Sequence, residues 1–403
     1  MKFKQPQFPL AYDTIDKEDI DALCTWLQKG ERLSKGDLTI EFEKKWAQYI
    51  GTTYSIFCNS GSSANYLMAL ALLYSGKLKN KKIIVPSVGW VTTISSFMLL
   101  GFEPIMCGAN SENFGLDLDE LEKLCIEHNP GTVIFVDVLG FPNDIYKLRE
   151  LRDKYNFYLL EDSCAALGSK YNSYFGRDLN NKVGSLSDMS SFSFYFGHQL
   201  STIEGGMVNT NDEDLYHLLL MLRSHGWGKD LPKEKYKELI EKYDIDDFHS
   251  PFTFFVPGMN LRSTDLQAFL GLRQIEKAEW VAEQRNKNHQ YYYDLLHRDF
   301  FMQKYTNDMF VSSISIGILA NSINHRKRIV EKLVENDIET RVFSAGNLGR
   351  QPFWRKRYGD NLDKEFRDIM SDRIHDTGLF LPNYPTLKND EIQFICNIVK
   401  SIL

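Results

Sequence analysis

Short apolar runs alternate with amphipathic stretches over the first two thirds of the chain. The runs at residues 54–58, 82–86, 133–138 and 157–162 have the length and the Val, Ile, Leu and Phe content of buried strands. Between them, residues 17–29 and 40–50 carry apolar side chains at helical spacing, as at Phe42, Trp46 and Ile50. This alternation predicts an α/β fold built on a mostly parallel sheet.

The pattern changes at about residue 275. A long amphipathic stretch at residues 277–296 predicts a helix, and an alternating run at 311–319 predicts a strand. A helix over residues 326–336 and a strand over 339–343 are expected to follow. The preceding residues 229–250 are rich in charge and poor in small apolar residues, which predicts an exposed insertion or mobile loop.

The composition and charge of the chain exclude several classes of partner and location. The chain has 403 residues, 43% of them hydrophobic, and a formal charge of -7 without a basic arm, so neither nucleic acid nor an anionic membrane is expected as the main partner. Its six cysteines lack CxxC spacing and predict reduced thiols. The first residues lack the apolar core of a signal peptide, and no run approaches ~20 apolar residues. A cytoplasmic location is therefore expected.

Residues 190–207, SSFSFYFGHQLSTIEGGM, form the most informative segment. An aromatic strand at 190–195 is followed by a turn at Gly197, and a polar bend through Glu204 returns into a second strand at 207–210. Such a turn presents a side chain at a strand end, and that side chain is His198. A packed structural histidine is the alternative interpretation.

Three other strand ends carry candidate chemistry. The turn around Gly61 and Ser62 leads into an apolar helix, whose first amides suit a phosphate, although serine-rich helix caps are common. Trp90 directly follows the strand at 82–86, where a ligand-facing or a core tryptophan is expected. Asp162 ends the strand at 157–162, as a site carboxylate, a helix cap or an ion-pair partner.

Together these segments resemble the sugar-nucleotide aminotransferases, the DegT/StrS branch of the fold type I pyridoxal-phosphate enzymes. That family has a Ser-Phe, Lys, Glu-Gly-Gly motif whose lysine binds the cofactor covalently. Here the lysine position is His198, and no lysine lies between Lys182 and Lys229. An imidazole forms no stable imine but exchanges protons near neutral pH. The resemblance therefore points to the histidine-bearing branch, the 3-dehydratases of nucleotide-linked 4-keto-6-deoxy sugars, with His198 as the catalytic residue.

The resemblance also implies the remaining site. Pyridoxal 5'-phosphate, alternating with pyridoxamine 5'-phosphate, is expected to bind noncovalently to Gly61, Ser62, Trp90, Asp162, Ser193 and Asn260. Of these, Trp90 is expected against the ring, Asp162 at the pyridine nitrogen, and Asn260 at the phosphate of the neighbouring subunit's cofactor, which requires a homodimer. Candidate substrate contacts are His225, Arg262, Arg341 and Arg350. Ala165 departs from the Gln, Glu or Asp usual three residues after the aspartate.

The implied architecture is a fold type I enzyme, with an N-terminal segment and large cofactor-binding domain at residues 1–274 and a small C-terminal α/β domain at 275–403. The implied reaction is removal of the C3 hydroxyl from GDP-4-keto-6-deoxymannose or a GDP-4-keto-6-deoxyheptose, with L-glutamate as amino donor. It would serve 3,6-dideoxy sugar synthesis for surface polysaccharide. No metal or iron–sulfur cluster is expected. A sugar-nucleotide aminotransferase, a non-enzymatic regulator and an inactive partner subunit are the alternatives.

Overall fold

A seven-stranded sheet organises the larger part of the molecule in the computed structural model, which describes residues 6–171 and 181–403. The strand order is β1-β7-β6-β5-β4-β2-β3. β7 runs antiparallel to both of its neighbours, and the pairs from β6 to β3 are all parallel. The mostly parallel sheet predicted from sequence is confirmed. Its strands are β1 (Tyr54–Cys58), β2 (Lys82–Pro86), β3 (Glu103–Cys107), β4 (Thr132–Val136), β5 (Tyr158–Asp162), β6 (Met189–Ser193) and β7 (Gly206–Thr210).

Helices cover both faces of this sheet, so every residue of the central strands β4 and β6 is buried, including the serines of β6. Ile134 and Leu160 pack on one side in a cluster with α3, whereas Val133 and Leu159 pack on the other with α5 and α6. The helices up to residue 274 are α1 (Lys17–Leu27), α2 (Asp37–Ile50), α3 (Gly61–Tyr74), α4 (Thr92–Met98), α5 (Leu118–His128), α6 (Ile145–Tyr155), α7 (Glu213–Arg223), α8 (Lys233–Lys242) and α9 (Asp265–Gln274).

The C-terminal part contains a second sheet of two antiparallel strands, β8 (Ser315–Leu319) and β9 (Gly378–Pro382). The strand predicted at residues 339–343 is wrong. That segment makes only a single bridge, from Val342 to Leu379, because the chain bends at Ser344, whose φ is 49°. The helices here are α10 (Ala278–Leu296), α11 (Ile323–Glu335), α12 (Pro352–Arg355), α13 (Ile369–Thr377) and α14 (Asn389–Lys400).

The segment at residues 229–250 is exposed as predicted, but it is not a loop throughout. It contains α8, none of whose residues is buried. Tyr236 anchors this helix by donating a hydrogen bond from its hydroxyl to the Ser250 carbonyl oxygen at 2.6 Å. In the described ranges, no helix combines the length and apolar character needed to cross a bilayer.

The topology brings several chain segments to one edge of the large sheet. The parallel strands β4, β5 and β6 all end at this edge, and α3 begins there directly after β1. Carboxyl ends of parallel strands and the helices that follow them form the usual ligand crevice of open α/β sheets. The side chains of Asp162 and Ser193 therefore meet the first turn of α3.

Candidate functional site

A cavity of about 320 Å³ opens at this edge of the sheet. Seven of the residues predicted from sequence line it together. They are Gly61, Ser62, Trp90, Asp162, Ser193, His198 and Arg341. Most of its lining surface is apolar, and the polar groups converge from separate strands and loops, which is the usual composition of a small-molecule site.

The first turn of α3 forms one wall of the cavity. Ser60 caps the helix by accepting a hydrogen bond from the Ser63 amide at 3.1 Å, so the amides before Ser63 have no partner within the helix. A Cβ at Gly61 would stand only 2.7 Å from the Ser193 Cβ, so glycine is required for this close approach. Helix amides beside two serine hydroxyls make an anion site suited to a phosphate.

Asp162 lies at the floor of the cavity and is held by three donors. Its Oδ2 accepts hydrogen bonds from the Thr93 hydroxyl at 2.6 Å and from the Asn65 amide at 2.9 Å. Its Oδ1 accepts from the Cys164 backbone N–H at 3.2 Å. Asn65 is fixed in turn because its oxygen accepts from Ser191 at 2.7 Å. The carboxylate is thereby oriented by groups from α3, α4 and the segment that follows β5.

Trp90 contributes an open aromatic face, with 53% of its surface exposed. The Arg341 guanidinium lies 5.7 Å from the ring centroid and donates to the Ser344 carbonyl oxygen at 2.9 Å. The Ser344 hydroxyl donates to the carbonyl oxygen of Gly89 at 2.9 Å. The bend that removes the predicted strand at 339–343 therefore brings Arg341 to the cavity.

His198 lines the cavity on the loop that follows β6. Its backbone N–H donates to the Tyr195 carbonyl oxygen at 2.9 Å, which closes a tight turn. Its Nδ1 is buried and has no hydrogen-bond partner among the described residues. Burial is the main cause that lowers the pKa of His198 to about 4, while Asp162 opposes and Arg285 and Arg341 reinforce this shift. At neutral pH the imidazole is uncharged and able to accept a proton.

We expect the acidic limb of the pH–rate profile to reflect this histidine. Because the lowered pKa keeps the imidazole neutral down to about pH 4, activity that needs a neutral base should persist at pH 5.5 and fall only near pH 4. Single-turnover rates measured from pH 4 to 8 test this expectation. A half-maximal rate near the ordinary histidine value of about 6.5 would contradict it.

Three predicted residues lie together outside the cavity. Arg262 donates from Nε to the Asn260 side-chain oxygen at 3.1 Å, and its Nη2 lies 3.4 Å from Nε2 of His225. Asn260 is exposed. Within one subunit these side chains do not take part in the site. Arg350 does not line this cavity and forms ion pairs with Asp372 at 3.4 Å and Asp376 at 3.0 Å, and its contact with the substrate stays a prediction.

Sequence reasoning missed several residues of the site. Asn65 and Thr93 hold Asp162, although neither belongs to a recognisable motif. Tyr195 and Glu204 lie in the 190–207 segment and were not predicted as site residues, yet both line the cavity. At Ala165, where the family usually has Gln, Glu or Asp, the backbone carbonyl oxygen accepts a hydrogen bond at 2.7 Å from the side chain of Gln199, the residue after His198.

The residues present fit pyridoxal phosphate. The first turn of α3 with Ser62 and Ser193 suits the phosphate, the Asp162 carboxylate suits a protonated pyridine nitrogen, and the open face of Trp90 suits a planar ring. The partnerless Nδ1 of His198 provides a further polar group for a bound molecule. Among the described residues, no group of His, Cys, Asp and Glu side chains could hold a metal ion.

Comparison with known proteins agrees with this geometry. Residues 13–400 match the model of the DegT/DnrJ/EryC1/StrS aminotransferase family. GDP-4-keto-6-deoxy-D-mannose 3-dehydratase of Yersinia pseudotuberculosis is 30% identical over 98% of both chains. The Escherichia coli O55:H7 protein of that name is 29% identical over 98% of this chain and 99% of its own. The solved E. coli GDP-4-keto-6-deoxy-D-mannose-3-dehydratase with bound hydrated PLP superposes with a TM-score of 0.87 at 27% identity, covering 98% of this chain and 100% of that one. The fold is that of the fold type I PLP enzymes.

Proposed function

The chain belongs to the DegT/DnrJ/EryC1/StrS aminotransferase family, and from this premise we propose that it is a pyridoxal phosphate-dependent 3-dehydratase of a GDP-linked 4-keto-6-deoxy sugar. L-Glutamate is the amino donor. The proposed product is a 3,6-dideoxy-4-keto sugar for surface polysaccharide. Two relatives named as such dehydratases match this chain over nearly its whole length, which supports the same reaction here.

The observation that carries the proposal is the histidine at the covalent lysine position of the family. His198 lines the cavity beside Asp162 and Trp90, and none of the described residues that line it is a lysine. Without a lysine amine, no described side chain of this cavity can form a Schiff base with the cofactor carbonyl. A neutral imidazole at that position is free to move a proton instead.

Each residue of the site has a defined task in this reaction. Bound pyridoxamine phosphate supplies the amine and the electron-accepting ring on which loss of the C3 hydroxyl depends. Asp162 keeps its ring nitrogen protonated, because a carboxylate beside that nitrogen favours the charged form. Trp90 orients the ring by contact with its face. His198 would accept a proton from the cofactor carbon that carries the amine, since its lowered pKa leaves the imidazole neutral at physiological pH.

The identity of the sugar-nucleotide substrate is inferred from the named relatives, because the cavity alone does not select a nucleotide or a sugar. A heptose in place of the hexose adds a carbon away from C3 and C4, so both sugars remain in the proposal. We expect water loss with GDP-4-keto-6-deoxymannose in the presence of glutamate, and rates at least tenfold lower with CDP-, dTDP- and UDP-linked analogues. Mass spectrometry of each reaction measures this. Equal rates with all four nucleotides would remove GDP from the proposal.

We also propose a homodimer with shared active sites. Asn260 and Arg262 bond to each other outside the cavity of their own subunit. Beside them, Phe252 is 68% exposed and Phe254 is 55% exposed, and both pack against Trp227, over which Arg262 lies. A contiguous exposed apolar patch bordered by polar groups is typical of an interaction surface. Placed against a partner subunit, Asn260 would reach that subunit's cofactor phosphate, with Arg262 and His225 beside its substrate.

Subunit complementation tests this sharing. His198→Asn and Asn260→Ala should each be nearly inactive as pure proteins. If Asn260 acts in the partner's site, a mixed dimer has one intact site, so unfolding and refolding an equal mixture should restore about a quarter of wild-type activity. His198→Asn mixed with Asp162→Asn is the control, because these two residues belong to the same site. Recovery no greater than the control would overturn the shared site.

Three further predictions concern the domain boundary, the absence of an iron–sulfur cluster and the location of the protein. We propose the boundary near residue 274, because Phe8 and most of the buried apolar residues of α10, α11, α14, β8 and β9 form a core that contains no residue of the large sheet. The absence of an iron–sulfur cluster stays a prediction, tested by iron analysis of the purified protein. The cytoplasmic location also stays a prediction.

A further inference from the structure

Two buried arginines of this protein differ in their electrostatic surroundings. Arg223 and Arg285 are each 1% exposed. Arg223 is paired with Glu43 and Asp230, which outweigh the effect of burial and raise its pKa. Arg285 pairs with no carboxylate among the described residues, and burial alone lowers its pKa to about 9. It therefore stays charged at neutral pH, and no described acid neutralises it.

The hydrogen bonds of Arg285 all go to carbonyl oxygens. Its Nη1 donates to Ile314 at 3.1 Å, to Ser313 at 3.3 Å and to Asn383. Ile314 lines the cavity, and the segment 312–314 leads into β8. Asn383 strengthens this attachment by donating to the Ser313 hydroxyl at 2.8 Å. The guanidinium thus fixes the segment that forms the small-sheet side of the cavity.

Gln199 connects this segment to the catalytic loop. Its Nε2 donates to the Ser312 carbonyl oxygen and to the Ala165 carbonyl oxygen, both at 2.7 Å. It directly follows His198 and is fully buried. A continuous path of short polar contacts therefore runs from Arg285 through residues 312–314 and Gln199 to the backbone of His198.

We propose that Arg285 is a positioning residue for His198, holding the imidazole in place through the 312–314 segment and Gln199 and imposing a positive potential behind it. The inference rests on the proposed role of His198 as the base. A buried, unpaired cation is costly, and its field is weakly screened in the interior. That field disfavours a second positive charge on His198 and so preserves the neutral, proton-accepting form.

Other charged and titratable groups near the imidazole also influence the pKa of His198. Asp162 from β5 acts in the opposite direction, whereas Arg341, beyond α11, acts in the same direction as Arg285. Tyr195 and Glu204 of the same loop also line the cavity. Arg341 is exposed, so its field is screened by solvent, and Arg285 is the buried member of the pair of cations.

The test compares Arg285→Gln, which removes the charge, with Arg285→Lys, which keeps it. The pKa of His198 is measured in each by ¹³C-histidine NMR titration of the full-length protein with PLP bound, and His198→Asn identifies the resonance. We expect Arg285→Gln to raise the pKa of His198 by roughly 0.5–1 unit. Arg285→Lys should leave it near the wild-type value. The acidic limb of the pH–rate profile should move with the measured pKa.

The outcomes separate this inference from the proposed function. An unchanged pKa in Arg285→Gln, or an equal rise in Arg285→Lys, overturns the electrostatic role, because a purely structural residue would not distinguish the two variants. If Arg285→Gln does not fold, Arg285→Met, an apolar side chain of similar length, removes the same charge and should raise the pKa of His198 in the same direction. Since the titration needs no sugar substrate, it succeeds or fails independently of the dehydratase reaction.

Discussion

Replacing His198 with asparagine should reduce the rate of water loss by a factor on the order of 10²–10⁴, the usual contribution of a positioned general base. Asparagine is close to histidine in size and polarity, so the cavity should keep its shape while losing the group that accepts the proton. Glutamate-dependent formation of pyridoxamine phosphate and sugar dehydration are measured separately, by absorbance and by mass. Dehydration at the wild-type rate would remove His198 from the mechanism.

His198→Lys tests the same position with the opposite chemistry. We expect it to abolish dehydration and to bind the cofactor covalently, because a lysine amine at this place meets the cofactor carbonyl. Borohydride treatment followed by peptide mass mapping should therefore label residue 198 in the variant and no residue in the wild type. Transamination with glutamate should survive. A wild-type peptide with a reduced pyridoxyl-lysine would contradict noncovalent binding.

Asp162→Asn is expected to have the second-largest effect. Removing the charge takes away the proposed partner of the pyridine nitrogen, and loss of one fixed electrostatic stabiliser costs on the order of 10²–10³-fold in rate. The amide also presents an NH₂ group to Thr93 and Asn65, which both donate to the wild-type carboxylate. Cofactor affinity should fall with the rate. Titration of the apoprotein with PLP, followed by absorbance, measures the affinity.

Thr93→Val is the matched control for this variant. It removes the 2.6 Å hydrogen bond to Asp162 but leaves the carboxylate and its bonds from Asn65 and Cys164. Loss of one such bond to a charged group corresponds to about 1.5–3 kcal/mol at most, and two remaining donors reduce the effect further. We therefore expect a rate loss of about tenfold or less. A loss as large as that of Asp162→Asn would indicate that the geometry of the carboxylate, rather than its charge, is what matters.

Most of the large sheet could be predicted from the sequence because its strands are buried on both faces. Continuous apolar runs ended by polar or small residues predicted β1 and β2 with their observed bounds. The C-terminal part was less predictable. The segment 339–343 looks like a strand, but the bend at Ser344 diverts it, and β9, which pairs with β8, was not predicted. Pairing with β8, which is distant in sequence from β9, makes residues 378–382 rather than 339–343 the second strand of the small sheet.

The site was predictable where a motif placed one residue at a strand end or helix start. Gly61, Asp162 and His198 are of this kind, and all line the cavity. Residues that act through a neighbour carry no such local signal. Thr93 is 69 positions from the carboxylate it holds, and the path from Arg285 to His198 crosses three segments distant in sequence. The ion pairs of Arg350 carry no local signal for the same reason, because its acidic partners lie on α13.

The measurement that tests the central claim most directly is the fate of GDP-4-keto-6-deoxymannose incubated with the purified protein, PLP and L-glutamate. The product is analysed by mass spectrometry and the released ammonia is assayed. Because His198 replaces the family lysine, we predict a sugar nucleotide lighter by one oxygen atom, since the C3 hydroxyl leaves as water and glutamate supplies two hydrogens, with 2-oxoglutarate and ammonia formed alongside. A 4-amino sugar nucleotide with its C3 hydroxyl intact would contradict the account and identify an aminotransferase.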